Sequence, residues 1–145
     1  AAALTLAGDV LKGVIPVLIA NWLSDNTLVV ALAGAGAFLG HLFPVFFAFK
    51  GGKGVATALG VFVAVSPPLA LALVLTWLTI AVIFRYSSLA ALASAISAPA
   101  WAWWIIREPA YAVLALVLGL ILVWRHRENI RRLTNGTESR IGRKN

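Results

Sequence analysis

Five stretches of this chain contain no Lys, Arg, Asp or Glu, and each is 12 to 30 residues long: 13–24, 26–49, 55–84, 86–106 and 109–124. A helix needs about 20 apolar residues to cross a hydrocarbon core of ~30 Å. Hydrophobic residues make up 61% of the chain and charged residues 12%, against about 45–50% and 25% in a soluble domain. Too little polar surface remains to cover a soluble core, and disorder is excluded by the same apolar content. The expected fold is all-α: one polytopic membrane helical bundle over 1–145, ending in a basic segment at 125–145. The chain opens in an apolar stretch, 1–8, with no initiator Met, basic leader or cleavage site. No signal peptide is expected there, and a further segment is expected ahead of Ala1.

The 30-residue stretch is too long for one crossing. Ser66-Pro67-Pro68 interrupts it, with a helix-capping hydroxyl followed by prolines suited to a first turn. Dividing it into 55–65 and 67–84 yields six segments, the first running back from residue 24 to Ala1. Charge then sorts sharply. Lys12, Lys50, Lys53, Arg85 and the seven basic residues of 125–145 fall on one side, with Arg107 alone on the other. Without the division the better orientation is eight against four. By the positive-inside rule the crowded side is cytoplasmic. The net charge of +7 therefore sits mostly in a tail beside a membrane, where anionic lipid is the expected contact and nucleic acid is not.

At 1.5 Å per residue, 55–65 makes only ~16 Å of helix. If it reaches the outer side at Ser66, its start lies in a recess on the cytoplasmic side. That start reads Gly51-Gly52-Lys53-Gly54. Three glycines let backbone amides approach an anion, the helix start adds its dipole, and Lys53 adds a charge. The segment is either a phosphate cradle or a loop whose lysines only obey the topology rule. Gly54 follows Lys53 where an ATP-binding loop needs Ser or Thr, so an ATPase is not expected. Farther on, His126, Asn129, Ile130 and Leu133 share one face of a helix leaving the membrane. Either that face packs inward and carries His126 and Asn129 with it, or the helix lies on headgroups. Arg85, before Tyr86-Ser87-Ser88, either pairs an anion with help from a Ser hydroxyl or only fixes topology. His41 is read as structural, bonding a carbonyl freed by Pro44, and Asp9 as the partner of Lys12. Zero Cys and five scattered acids (Asp9, Asp25, Glu108, Glu128 and Glu138) leave no metal cage or carboxylate pair, so neither metal nor cofactor is expected.

With Asp9-Val10-Leu11-Lys12-Gly13, Gly40-His41-Leu42-Phe43-Pro44, Phe49 through Thr57, Arg85 through Leu89, and His126-Arg127-Glu128-Asn129-Ile130 on to Gly136 and Glu138, the chain resembles the bacterial acyl-phosphate:glycerol-3-phosphate acyltransferases (PlsY). The strings occur in the family's order. That family has seven helices and an earlier loop rich in Gly, Ser and Asn that helps bind substrate. Neither the first helix nor that loop has a counterpart here, so six segments plus one would complete the count. The resemblance implies transfer of a fatty acyl group from acyl phosphate to the sn-1 hydroxyl of glycerol 3-phosphate, giving lysophosphatidic acid. It implies no acyl-CoA, a bacterial inner membrane with the site facing the cytoplasm, and the soluble enzyme that makes acyl phosphate as a partner. By motif it makes Lys53, His126 and Asn129 catalytic. Gly51, Gly52, Lys53, Gly54, Arg85 and Ser88 become substrate-phosphate contacts, with Ser87 as the alternative to Ser88. The acceptor's proton goes to His126 or to a substrate phosphate oxygen, the latter favoured because no carboxylate is spaced to orient His126. The competing classes are a transporter or channel for a phosphorylated solute, though the halves show no repeat, and a scaffold without chemistry.

Overall fold

The computed structural model describes residues 1–45 and 52–143. Seven helices make up the described chain: α1 Ala2–Leu23, α2 Thr27–Leu42, α3 Val55–Val65, α4 Pro67–Phe84, α5 Ser87–Ile106, α6 Pro109–Arg125 and α7 Arg127–Thr134. α1, α4 and α5 are each long and apolar enough to cross a membrane, while α2 and α3 are shorter apolar helices. α6 and α7 meet at a bend of 59°.

Local chemistry sets most boundaries. The Ser66 hydroxyl accepts from the Leu69 amide at 3.3 Å, and Pro67 opens the first turn of α4. Asn26 caps α2 through the Leu28 amide at 2.9 Å, and Glu108 caps α6 through Ala110 at 3.4 Å. α2 is shorter than the charge-free stretch that contains it. A residue before proline is pushed out of the helical region, and Phe43, before Pro44, sits at φ −125° and ψ 62°. The rest of that stretch, 46–49, lies outside the described residues, as do Lys50 and Gly51.

The helices close into a ring in the order α1, α2, α6, α5, α4, α3 and back to α1. Val17, Phe38, Val61 and Leu118, from four different helices, are essentially inaccessible at its centre. The tightest contact is between α1 and α3, where backbones touch. A Cβ at Gly60 would collide with the Val10 carbonyl, and one at Gly13 with the Thr57 carbonyl. The buried Thr57 hydroxyl donates to the Asp9 carbonyl at 2.9 Å across the same junction. The first turn of α3 is thus level with Asp9, seven residues along α1 from Ala2. Asp9 also binds Lys12 at 2.9 Å, as expected, whereas His41 turns its Nδ1 to the Asp9 carboxylate at 3.6 Å. Among the described residues, this contact and no carbonyl is the His41 Nδ1 partner.

Candidate active site

α3, α4, α5 and α6 surround a cavity of about 710 Å³. Most of its wall is apolar, including Phe62, Leu73, Trp77, Ala95 and Ala98, and apart from Ser94 its polar lining gathers at one end. That end holds Lys53, Ser87, Ser88, His126, Asn129 and Glu138. These residues come from the start of α3, the start of α5, the α6–α7 bend and the segment after α7.

The bend brings the last group in. α7 turns at His126, whose backbone (φ −93°, ψ 9°) both ends α6 and opens α7. Helix α7 turns away from α6, and its predicted inward face is buried at His126 (3% exposed) and Asn129 (5%) and half-buried at Ile130 and Leu133. No glycine or proline marks the turn in the sequence.

His126 Nδ1 lies 2.7 Å from the Leu122 carbonyl. A carbonyl only accepts, so Nδ1 carries the hydrogen and a neutral imidazole presents the Nε2 lone pair. Burial pushes the His126 pKa below its ordinary 6.5, aided by Lys53 and opposed by the Leu122 bond and by Glu138. The neutral form is therefore favoured at physiological pH.

Lys53 donates to Asn129 Oδ1 at 2.6 Å, although 76 residues separate them. Asn129 Nδ2 donates to Glu138 Oε1 at 2.7 Å, Ser88 donates to the same oxygen at 2.7 Å, and Arg132 Nε donates to Oε2 at 2.7 Å. Burial would raise the Glu138 pKa, but the Ser88, Asn129 and Arg132 bonds outweigh it and hold the carboxyl below its ordinary value. Glu138 is the member that sequence reasoning left without a role. Its only local signal is its place after Gly136, whose φ of 72° turns the chain back.

Other expected residues are placed differently. Gly51 lies outside the described residues. Gly52 and Gly54 do not line the cavity. Gly52 is exposed, its carbonyl accepts from Arg125 at 2.9 Å, and it borders a separate hollow with Lys12 and His41. Gly54 caps α3 at φ 87°, where a Cβ would strike Phe38 at 2.5 Å. Its absent side chain lets α3 begin against α2, which aims Lys53, Val55 and Ala56 at the cavity. Arg85 is also outside the lining. Its guanidinium donates to the Ile141 carbonyl at 2.8 and 3.2 Å, and the Ile141 amide returns a bond to the Arg85 carbonyl at 2.7 Å. Arg85 therefore clasps the C-terminal segment from a left-handed backbone (φ 61°), a geometry different from the anion contact expected of it. Among the described residues no group of three His, Cys, Asp or Glu could hold a metal ion.

A charged, hydrogen-bonding bay on an apolar channel suits an amphiphile with an anionic head. A family model described as glycerol-3-phosphate acyltransferase matches residues 1–136. The glycerol-3-phosphate acyltransferase of Halorhodospira halophila (strain DSM 244 / SL1) is 52% identical over 141 residues, covering 97% of this chain and 72% of that protein. The enzyme of the same name from Methylobacillus flagellatus is 49% identical over 144 residues, covering 99% and 74%. Crystal structures of PlsY (YgiH), an integral membrane glycerol 3-phosphate acyltransferase, in lysophosphatidic acid and glycerol 3-phosphate forms, match with a TM-score of 0.91 at 46% identity. They cover 97% of this chain and 72% and 70% of those chains.

Proposed function

The chain belongs to the glycerol-3-phosphate acyltransferase family, and from that premise we propose how its own residues perform the transfer. It is an integral membrane acyltransferase that moves a fatty acyl group from acyl phosphate to the sn-1 hydroxyl of glycerol 3-phosphate, making lysophosphatidic acid. The observation that carries the reading is a cavity that is polar at the Lys53, Ser88, His126 and Asn129 end and mostly apolar beyond it. The acyl chain lies along α3, α4, α5 and α6, and both phosphates sit at the polar end.

The sn-1 oxygen attacks the acyl carbonyl carbon and forms the ester C–O bond. The bond from that carbon to the phosphate oxygen breaks, and inorganic phosphate leaves with the electron pair. An acyl phosphate is already activated, so orientation and stabilisation of charge supply most of what remains. Lys53 and the first amides of α3, where Val55 and Ala56 line the cavity, stabilise the leaving phosphate. Asn129 holds the Lys53 ammonium in place. Neutral His126 accepts a hydrogen bond from a substrate hydroxyl through Nε2, and Ser88 contacts the glycerol backbone. The hydroxyl proton passes to a substrate phosphate oxygen. No carboxylate backs His126; its Nδ1 proton is spent on a carbonyl.

Residues 1–145 form one acyltransferase domain with six crossing segments, α1 to α6. The cavity's polar end faces the cytoplasm of a bacterial inner membrane, and exposed arginines of the basic C-terminal segment, Arg127 and Arg131 among them, face anionic headgroups there. Support comes from the charge asymmetry together with Lys53, Ser88 and His126 all lying at helix ends on that side. Donor supply then falls to a soluble enzyme that makes acyl phosphate.

The test is an assay on detergent-purified protein offered glycerol 3-phosphate with palmitoyl phosphate or with palmitoyl-CoA. Lysophosphatidic acid forms from the first donor only. Lys53→Ala abolishes turnover, while His126→Ala raises KM at least as much as it lowers kcat. Product from palmitoyl-CoA alone would refute the donor assignment.

A further inference from the structure

Glu138 has no place in the transfer chemistry, yet more of the polar end converges on it than on any substrate-facing residue. After α7, the Thr137 and Glu138 amides both donate to the Arg132 carbonyl, at 2.8 and 3.2 Å. This turn aims the Glu138 side chain inward, where it is 6% exposed. Beyond it, the Arg85–Ile141 pairing and an Arg140 Nε bond to the Tyr86 hydroxyl at 3.0 Å hold the segment down.

A carboxylate accepts and cannot donate, so each partner must turn a hydrogen toward Glu138. For Asn129 this decides which end of the amide faces which neighbour: Nδ2 to Glu138 and Oδ1 to Lys53. For Ser88 the consequence is larger. A serine hydroxyl has one hydrogen, and Glu138 takes it at 2.7 Å. Only lone pairs of Ser88 are left for the cavity, and His126 Nε2 offers a lone pair as well. The polar end thus presents these two lone pairs beside the Ser87 hydroxyl and the Lys53 ammonium. Two acceptors match two hydroxyl hydrogens; a phosphate dianion offers none.

We propose that Glu138 is a positioning residue: by holding the Ser88 hydrogen it makes Ser88 an acceptor, so that Ser88 and His126 together select an acceptor substrate carrying two hydroxyls. The inference rests on the functional reading above and adds to it the reason why a diol phosphate is preferred over a mono-alcohol phosphate. An analogue lacking one hydroxyl leaves one acceptor unpaired in a buried place, which weakens it roughly five- to hundredfold.

The experiment measures kcat/KM for glycerol 3-phosphate and for 3-hydroxypropyl phosphate, which keeps the terminal hydroxyl and lacks the middle one. Wild type, Glu138→Gln, Glu138→Asp and Ser88→Ala are compared with palmitoyl phosphate as donor. Wild type prefers glycerol 3-phosphate at least tenfold. Glu138→Gln, whose amide can donate to Ser88 and free its hydrogen, lowers that preference at least fivefold, and Glu138→Asp, still acceptor-only, keeps more of it. Ser88→Ala deletes one acceptor, leaves Asn129 and Arg132 on the carboxylate, and brings the preference within threefold of unity. A merely structural role for Glu138 would slow both substrates together and leave their ratio unchanged. An unchanged ratio in both Glu138→Gln and Ser88→Ala overturns the proposal whatever the absolute rates. A wild type that acylates both substrates equally overturns it too, while the functional reading stands. A wild type that acylates neither overturns both.

Discussion

Replacing Asn129 by Asp changes one NH₂ group to oxygen and leaves the volume unchanged. The oxygen facing Lys53 survives, so that contact, 2.6 Å in the native protein, becomes an ion pair. On the other side a donor 2.7 Å from Glu138 Oε1 becomes a second carboxylate oxygen. Two carboxylates about 4 Å apart repel by about 4 kcal/mol at an effective dielectric of 20, and the lost charge-assisted bond adds about 1.5–3 kcal/mol. The pair escapes this by taking up one proton. At neutral pH, holding a carboxyl protonated some three units above its usual pKa costs about 4 kcal/mol, and each unit of acidification removes about 1.36 kcal/mol. The smaller penalty governs, so Asn129→Asp should lose roughly 10³-fold in kcat/KM at pH 7 and more at pH 8. It should then recover several-fold per unit as the pH falls toward 6. Wild type shows no such rise, because it has no second carboxylate to protonate, and protonating the His126 Nε2, which burial disfavours, would only remove an acceptor. Asn129→Ala, with no new charge, loses activity without the acid recovery. The assay is lysophosphatidic acid formation from pH 5.5 to 8.5 in detergent. An Asn129→Asp profile that is flat, or within fivefold of wild type at pH 8, would refute the reasoning.

Gly60→Ala drives a methyl into the Val10 backbone carbonyl and should destabilise by at least the 1–3 kcal/mol typical of overpacking, since backbone cannot rotate away. Gly8→Ala, with nothing within 4 Å, is the matched control, and thermal midpoints in detergent compare them. Arg85→Ala frees the Ile141 carbonyl, so trypsin should cut after Arg140 faster while KM for glycerol 3-phosphate rises less than tenfold; a hundredfold loss of kcat would return Arg85 to the phosphate. Ala98 lines the cavity ten residues along α5 from Ser88, or about 15 Å. Ala98→Phe should block long donors selectively, read as a kcat/KM ratio of octanoyl to palmitoyl phosphate raised at least tenfold.

The amino-acid sequence alone determined the bundle and most of its helix ends. Charge-free stretches, a Ser-Pro-Pro break and the side on which Lys and Arg collect are local or additive quantities. The α3 and α4 boundaries followed from them to the residue, because capping and proline geometry act over three or four positions. The inward face of α7 was legible for the same reason, as helical periodicity is local. Tertiary structure alone decided that Arg85 meets Ile141, that Gly54 serves α2 packing, that the chain bends at His126 and that Glu138 gathers Ser88, Asn129 and Arg132. Ser88 and Glu138 are 50 residues apart, and Lys53 and Asn129 are 76. Hydrogen-bond partners at such separations share no pattern along the chain, since their meeting depends on how whole helices pack, down to a missing Cβ at Gly60.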